Sequence, residues 1–356
     1  MNGSLPRLPD DGPFWTGELE YHLPPDRIAQ VPAARRGDSR LMVVDRETGA
    51  IEHANFADVA RYLPPRALLV ANDSRVIPAR LRGRKQGSGG AVEVLVLGVG
   101  QGTVASAMVR VAKPLHEGQV VEFRDGVTAR VASPPAHGRV TLEFAPLDVT
   151  TVLERCGEIP LPPYIDRGSG PTDEDLDRYQ TVYARRAGSV AAPTAGLHFT
   201  DALISELTSA GFDFATVTLH VGPGTFTPVR GEVADHEMEE EAFDIGADVA
   251  ARIAAAKAQG RPVVAVGTTT VRTLESAALQ GSGVVCAGPG SSRLFIRPGH
   301  RFAVVDALLT NFHLPGSTLL ALVMALAGRD RIRAAYETAV ADGYRFYSYG
   351  DAMLIR

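Results

Sequence analysis

Between residues 76 and 144 the chain carries five short runs of alternating or β-branched residues, at 92–97, 104–111, 120–123, 127–131 and 140–144. Gly, Asp and His-Gly turn signals separate them, and no helical period intervenes. Strands met in such succession bury their apolar faces by pairing antiparallel, as a small barrel or sandwich. On both sides of this stretch the texture differs, because strand-like runs alternate with helical spacing. The pattern therefore predicts a small all-β domain inserted into a larger α/β one.

The outer segments set the larger domain. Residues 41–45 read as a buried strand, 47–49 as a turn and 51–53 as a second extended piece. Residues 56–63 have helical spacing that stops at Pro64–Pro65. A buried strand at 68–71 delivers Asn72, Asp73 and Ser74 at its end. Beyond 150, helices are expected at 203–210, 249–259 and 273–280, and buried strands at 214–221, 263–266 and 302–308. This alternation implies a mostly parallel sheet. The longest apolar run, 318–328, falls well short of the roughly 20 residues that span a bilayer, so it predicts a buried helix and no membrane contact.

Charge and cysteine usage exclude several classes. A net charge of −5 over 356 residues argues against a protein coated in positive charge, though not against a local basic patch. Arg75, Arg80, Arg82, Arg84 and Lys85 form one such cluster; Arg35, Arg36 and Arg40 form a weaker one. Cys156 and Cys286, with no CxxC spacing, predict two small core residues in a reducing compartment, not a disulfide framework or zinc site. Residues 1–15 lack periodicity and any signal-peptide pattern, so a cytoplasmic protein is expected.

Four segments join polar groups to glycines at strand ends, where α/β sheets bind ligands: AAPTAGLHF at 191–199, LHVGPGTF at 219–226, VVAVGTTTVRTLE at 263–275 and DALLTNFHLPGST at 306–318. Thr194 and His198 are the reactive side chains of the first, and His220 stands at the strand end of the second. The Gly-Thr-rich turn of the third suits an anion at a helix N-terminus, yet it matches neither a dinucleotide fingerprint nor a P-loop. The acidic run at 235–241 reads as a solvated face rather than a metal site.

Together these segments, with YHLPPDRIAQ at 21–30, DSRLMVVDRETG at 38–49, ANDSRVIPARLRG at 71–83, RYQTVYA at 178–184 and YRFYSYGDAMLI at 344–355, resemble the S-adenosylmethionine:tRNA ribosyltransferase-isomerases of queuosine biosynthesis. The resemblance implies a large α/β domain with barrel-like character, here residues 1–75 and 151–356, interrupted by a small antiparallel β-barrel at 76–150. It implies transfer and isomerisation of the ribosyl part of S-adenosylmethionine onto the 7-aminomethyl-7-deazaguanine wobble base of a tRNA with a GUN anticodon. Epoxyqueuosine, adenine and methionine are the products. S-adenosylmethionine is the co-substrate; no metal is required, and a monomer is expected.

Such chemistry needs a base for the proton beside the sulfonium, hydrogen bonding to the departing purine, and ribose hydroxyls held in line. His198, His220 and His313 form the expected acid–base pool, with Asp351 among the catalytic group. Thr194 and Asn311 orient substrate, with Gly222 and Gly224 allowing close approach. Thr268, Thr269 and Arg272 are expected at the methionine carboxylate, and Arg75 and Arg80 at tRNA phosphates. The family's His-x-Met-His-x-Glu pattern is altered, since Glu239 stands where its second histidine would be. That departure favours one alternative, the same ribosyl chemistry on a small amine or free deazapurine; a tRNA-binding protein without turnover is a further one.

Overall fold

The computed structural model describes residues 14–98, 102–136, 138–168, 170–226, 229, 233 and 236–356. Most of the N-terminal tail, and Asp235 of the acidic run, lie outside the described residues.

The large domain is built on a nine-stranded sheet. At its centre Asp213–Leu219, Leu68–Asn72, Val263–Val266 and Ala307–Asn311 run parallel. Ala352–Ile355 pairs antiparallel to Ala307–Asn311, and Arg40–Val44 and Ile51–Asn55 complete that side. Glu241–Ile245 and Gly288–Ser292 add antiparallel strands at the other. The expectation of a mostly parallel sheet is thus corrected to a mixed one. Its parallel centre follows helical crossovers, whereas the flanking strands return through loops and the chain's last segment.

Alternate residues of these strands enter two different cores, as the period of 2 requires. Leu68, Val70, Val263 and Ala265 face one core, which helices Ala247–Ala258, Thr268–Gln280, Thr318–Ala327 and Arg329–Ala341 also enter. Leu69, Ala71, Val264 and Val266 face the other, beneath the 3-10 helix Phe56–Arg61 and helix Asp201–Ser209. The helical run ahead of Pro64–Pro65 is thus a 3-10 helix, Phe56–Arg61. The buried run expected at 302–308 places its strand later, at Ala307–Asn311.

The small domain is a closed barrel of six antiparallel strands, one more than the five expected. The sixth is Arg80–Lys85, which the sequence presented as a basic cluster. Its arginines alternate outward while Leu81 and Lys85 are buried, and a side chain at Gly83 would collide with the Glu122 carbonyl at 2.6 Å and the Phe123 ring at 2.7 Å. Helix Val149–Cys156 presents Val149, Val152, Leu153 and Cys156 to the barrel core at helical spacing. Cys156 is buried as expected, but Cys286 is exposed, on the loop after Gln280 where no core reaches it.

Candidate active site

The carboxyl ends of the parallel strands and the amino ends of their antiparallel neighbours meet at one edge of the sheet, bringing Asn72, Gly267, Asn311, Ser39 and Asp351 to the same side. There a mainly apolar pocket opens with a few polar groups converging on it, the usual character of a small-molecule site. Thr194, Thr268, Thr269, Asn311 and His313 line it, with Tyr164, Ser317 and Tyr347.

The Gly-Thr segment reaches the pocket as a helix, not a turn: the helix begins at Thr268, five residues before the expected start. Gly267 turns the chain with φ +89°, a conformation open to glycine. Poor helix formers are tolerated behind it because they are buried and because Thr270 and Thr273 return their hydroxyls to carbonyls four residues back, at 2.7 and 2.9 Å. The helix N-terminus thus offers its free N–H groups beside Thr268 and Thr269.

His313 is buried; its Nε2 meets Thr310 Oγ1 at 2.8 Å, while its backbone N–H donates to the Tyr336 hydroxyl and its carbonyl accepts from Tyr21. Burial pushes its imidazole down to about 3. His198 stands behind Asn311, with Nδ1 at 3.0 Å from Ser39 Oγ and Nε2 at 3.1 Å from Asn311 Nδ2. Burial, then the charges of Arg345 and Arg36, hold it at about 4. Both rings are neutral at physiological pH. Asn311 Nδ2 also donates to the Tyr347 carbonyl at 3.0 Å, leaving its Oδ1 buried without a partner.

Several expected site residues lie elsewhere. His220 is half-buried against Gly188, its Nδ1 without a partner, and does not line the pocket. Burial and Arg186 lower its pKa, against the opposing charge of Asp73. Asp351 is buried and does not line the pocket, accepting the Arg40 and Arg345 backbone N–H groups at 2.9 and 2.8 Å; burial raises its pKa. Arg272 forms an ion pair with Glu241, both 3% exposed, because burial leaves its guanidinium no solvent and Glu241 stands opposite. The same carboxylate accepts the Gly222 N–H at 3.0 Å. Gly224 is packed against Glu239, where a Cβ would meet its side chain at about 3.0 Å.

Glu239 itself pairs with Arg139 of the barrel at 3.1 Å. Arg80 bonds the Leu161 carbonyl at 2.9 Å and bridges to Glu158 through its backbone, joining the barrel to the chain beyond it. Arg75 is exposed on the two-stranded sheet formed with Arg186–Ser189.

Among the site residues that went unassigned in the sequence are Tyr347 and Tyr164. Tyr347 lines the pocket with its hydroxyl buried and unpartnered, on a backbone at φ +72°, a rare conformation for a non-glycine residue that concentrates at functional sites. Tyr164 stacks on it, ring centroids 4.6 Å apart, and bonds Ser348 Oγ at 2.6 Å. For Tyr347 the signal available was the tyrosine-rich run around 344–349; Tyr164 had none.

Comparison with known proteins agrees in extent with these motifs. The family model described as queuosine biosynthesis protein matches residues 16–355. The S-adenosylmethionine:tRNA ribosyltransferase-isomerase of Anaeromyxobacter dehalogenans (strain 2CP-1 / ATCC BAA-258) is 52% identical over 95% of this chain and 98% of its own length. That of Moorella thermoacetica is 50% identical with the same coverage. The crystal structure of S-adenosylmethionine tRNA ribosyltransferase from Thermotoga maritima superposes with a TM-score of 0.54 at 35% identity, covering 95% of this chain and all of that one. From residue 16 to residue 355, the chain belongs to the queuosine biosynthesis protein family.

Proposed function

We propose that this enzyme is an S-adenosylmethionine:tRNA ribosyltransferase-isomerase. It transfers and isomerises the ribosyl group of S-adenosylmethionine onto the 7-aminomethyl-7-deazaguanine wobble base of tRNAs with a GUN anticodon, forming epoxyqueuosine and releasing adenine and methionine. It works as a cytoplasmic monomer, residues 1–75 and 151–356 carrying the chemistry and 76–150 an inserted barrel. The observation that carries this reading is the convergence of Thr194, Thr268, Thr269, Asn311 and His313, from three motif segments far apart in the chain, on one pocket.

Within that reading His313 is the base. It lines the pocket and is oriented through Nε2 by Thr310; the proton lost beside the sulfonium passes to its imidazole, which burial makes a weak base. The Tyr347 hydroxyl, kept protonated by burial, hydrogen-bonds the departing purine, which the Tyr164–Tyr347 wall stacks against. Asn311 Oδ1 and Thr194 hold ribose hydroxyls. The methionine carboxylate sits at the Thr268–Thr269 helix N-terminus, with Arg272 acting at one remove through Glu241. His198 and Asp351 are positioning residues.

The test is adenine release from S-adenosylmethionine by the purified chain, with and without tRNA bearing the aminomethyl-deazaguanine base. Release that depends on this tRNA, with the matching mass gain on the RNA, is expected. Release indifferent to tRNA would redirect the chemistry to a small acceptor.

A further inference from the structure

We propose that a second pocket, behind the His198–Asn311 wall, is a binding site for a phosphate of the RNA backbone. This rests on the tRNA substrate proposed above and deepens it. The pocket is small and open to solvent, and is lined by Arg35, Arg36 and Arg178 together with Ser39 and His198. Ser348 lines both pockets, and His198 joins the second to Asn311 in the first. A ligand reaching from one pocket to the other would therefore pass Ser348 and the His198–Asn311 contact.

Charge selects the occupant. The Arg36 and Arg178 side chains are each 13% exposed, and burial, with Arg178 close by, disfavours the charge on Arg36. Their hydrogen bonds go to main-chain carbonyls: Arg36 to Leu197 at 3.3 Å and Asp177 at 2.6 Å, Arg178 to Ala33 at 2.8 Å. The nearest carboxylates, Asp177 and Glu174, stand off at 3.9 and 3.6 Å and are 80% and 58% exposed. Asp177 offsets part of the Arg36 charge, yet both carboxylates are largely exposed and so screened by solvent. Each guanidinium carries five N–H donors in a fork suited to phosphate, and most remain uncommitted.

The pocket's third arginine extends it to the surface. Arg35 is 84% exposed and paired only with Asp38 at 3.0 Å, so the ligand is carried in from solvent, as a polymer's phosphate would be. The more conspicuous cluster in the sequence offers less: Arg80 is committed to Leu161 and Arg82 to Glu158.

The experiment uses the full chain with tRNA bearing the acceptor base. Affinity for that tRNA is measured across salt concentration, alongside KM for each substrate. Arg36→Gln and Arg178→Gln are expected to weaken tRNA binding roughly tenfold and to make the dependence of log affinity on log salt shallower by about one unit. KM for S-adenosylmethionine stays within about twofold. Arg35→Ala, at an exposed side chain whose loss leaves folding intact, shows the same two changes at smaller size. Arg61→Ala, 78% exposed and on the 3-10 helix Phe56–Arg61, serves as the control and changes neither. Folded variants that bind tRNA with the parent's affinity and salt slope would overturn the proposal. So would a rise in KM for S-adenosylmethionine alone, which would make this a carboxylate site. An unmodified chain that releases no adenine with this tRNA removes the functional reading first, before any variant is compared.

Discussion

Asn311 donates from Nδ2 to His198 Nε2 at 3.1 Å, which places the imidazole proton on Nδ1, toward Ser39 Oγ. The pair couples the last residue of a central strand to a histidine 113 positions away and leaves the amide oxygen of Asn311 buried without a partner. Asn311→Asp would exchange the donor for an anion that favours the imidazolium. The His198 titration, read by NMR, is expected to rise from about 4 toward the ordinary histidine value, with adenine release falling at least about tenfold. A titration that stayed near its starting point would show that the two side chains are not coupled.

The two buried histidines make stability depend on pH in a definite direction. Their folded pKa values, about 4 for His198 and about 3 for His313, lie below the unfolded value near 6.5. The unfolded chain therefore binds more protons, and stability rises with pH in that interval. The contribution is complete above pH ~6.5 and is lost as pH falls toward the two folded values. Thermal unfolding of His313→Gln across this range should show a shallower decline than the parent. Parallel curves would assign the acid sensitivity to other groups.

Tyr347→Phe separates function from stability. The hydroxyl is buried and has no partner in the folded chain, so its removal should leave Tm unchanged or raise stability by up to about 1 kcal/mol. Adenine release should nonetheless drop, because a ligand loses its hydrogen bond. A variant that loses stability while keeping full turnover would mean that the hydroxyl serves the fold.

Glu241→Gln should be among the most damaging single changes. Arg272 and Glu241 are each 3% exposed, and stripping the charge from one partner strands the other; such breaks cost about 3–5 kcal/mol. Chemical denaturation should show that loss, and Arg272→Met combined with it should recover part. A loss from Glu241→Gln below about 1 kcal/mol would contradict a buried pair.

Much of the architecture was legible because burial enforces period. The runs at 92–97, 104–111 and 263–266 could be read as strands from their alternation or continuity, and each is one or overlaps one. Arg80–Lys85 escaped because three arginines look like a ligand-binding patch, whereas an antiparallel strand with one wet face needs polar residues at alternate positions. The start of helix Thr268–Gln280 escaped because three threonines oppose helix propensity, which tertiary burial overrides.

At the site, residue types in motifs named candidates such as Asn311, His313 and Thr268, since those types are the ones able to hydrogen-bond or exchange protons. Sequence by itself determined the α/β frame, the all-β insertion and the family resemblance, because each is written in local period and in residue order. Only the tertiary structure decided that Asn311 stands before His198, that Arg272 answers Glu241, that His220 lies outside the pocket and that Arg36 lies beside Arg178. Those relations depend on strand order and on which face each side chain takes, and spacing along a chain does not specify contacts made more than a hundred residues apart.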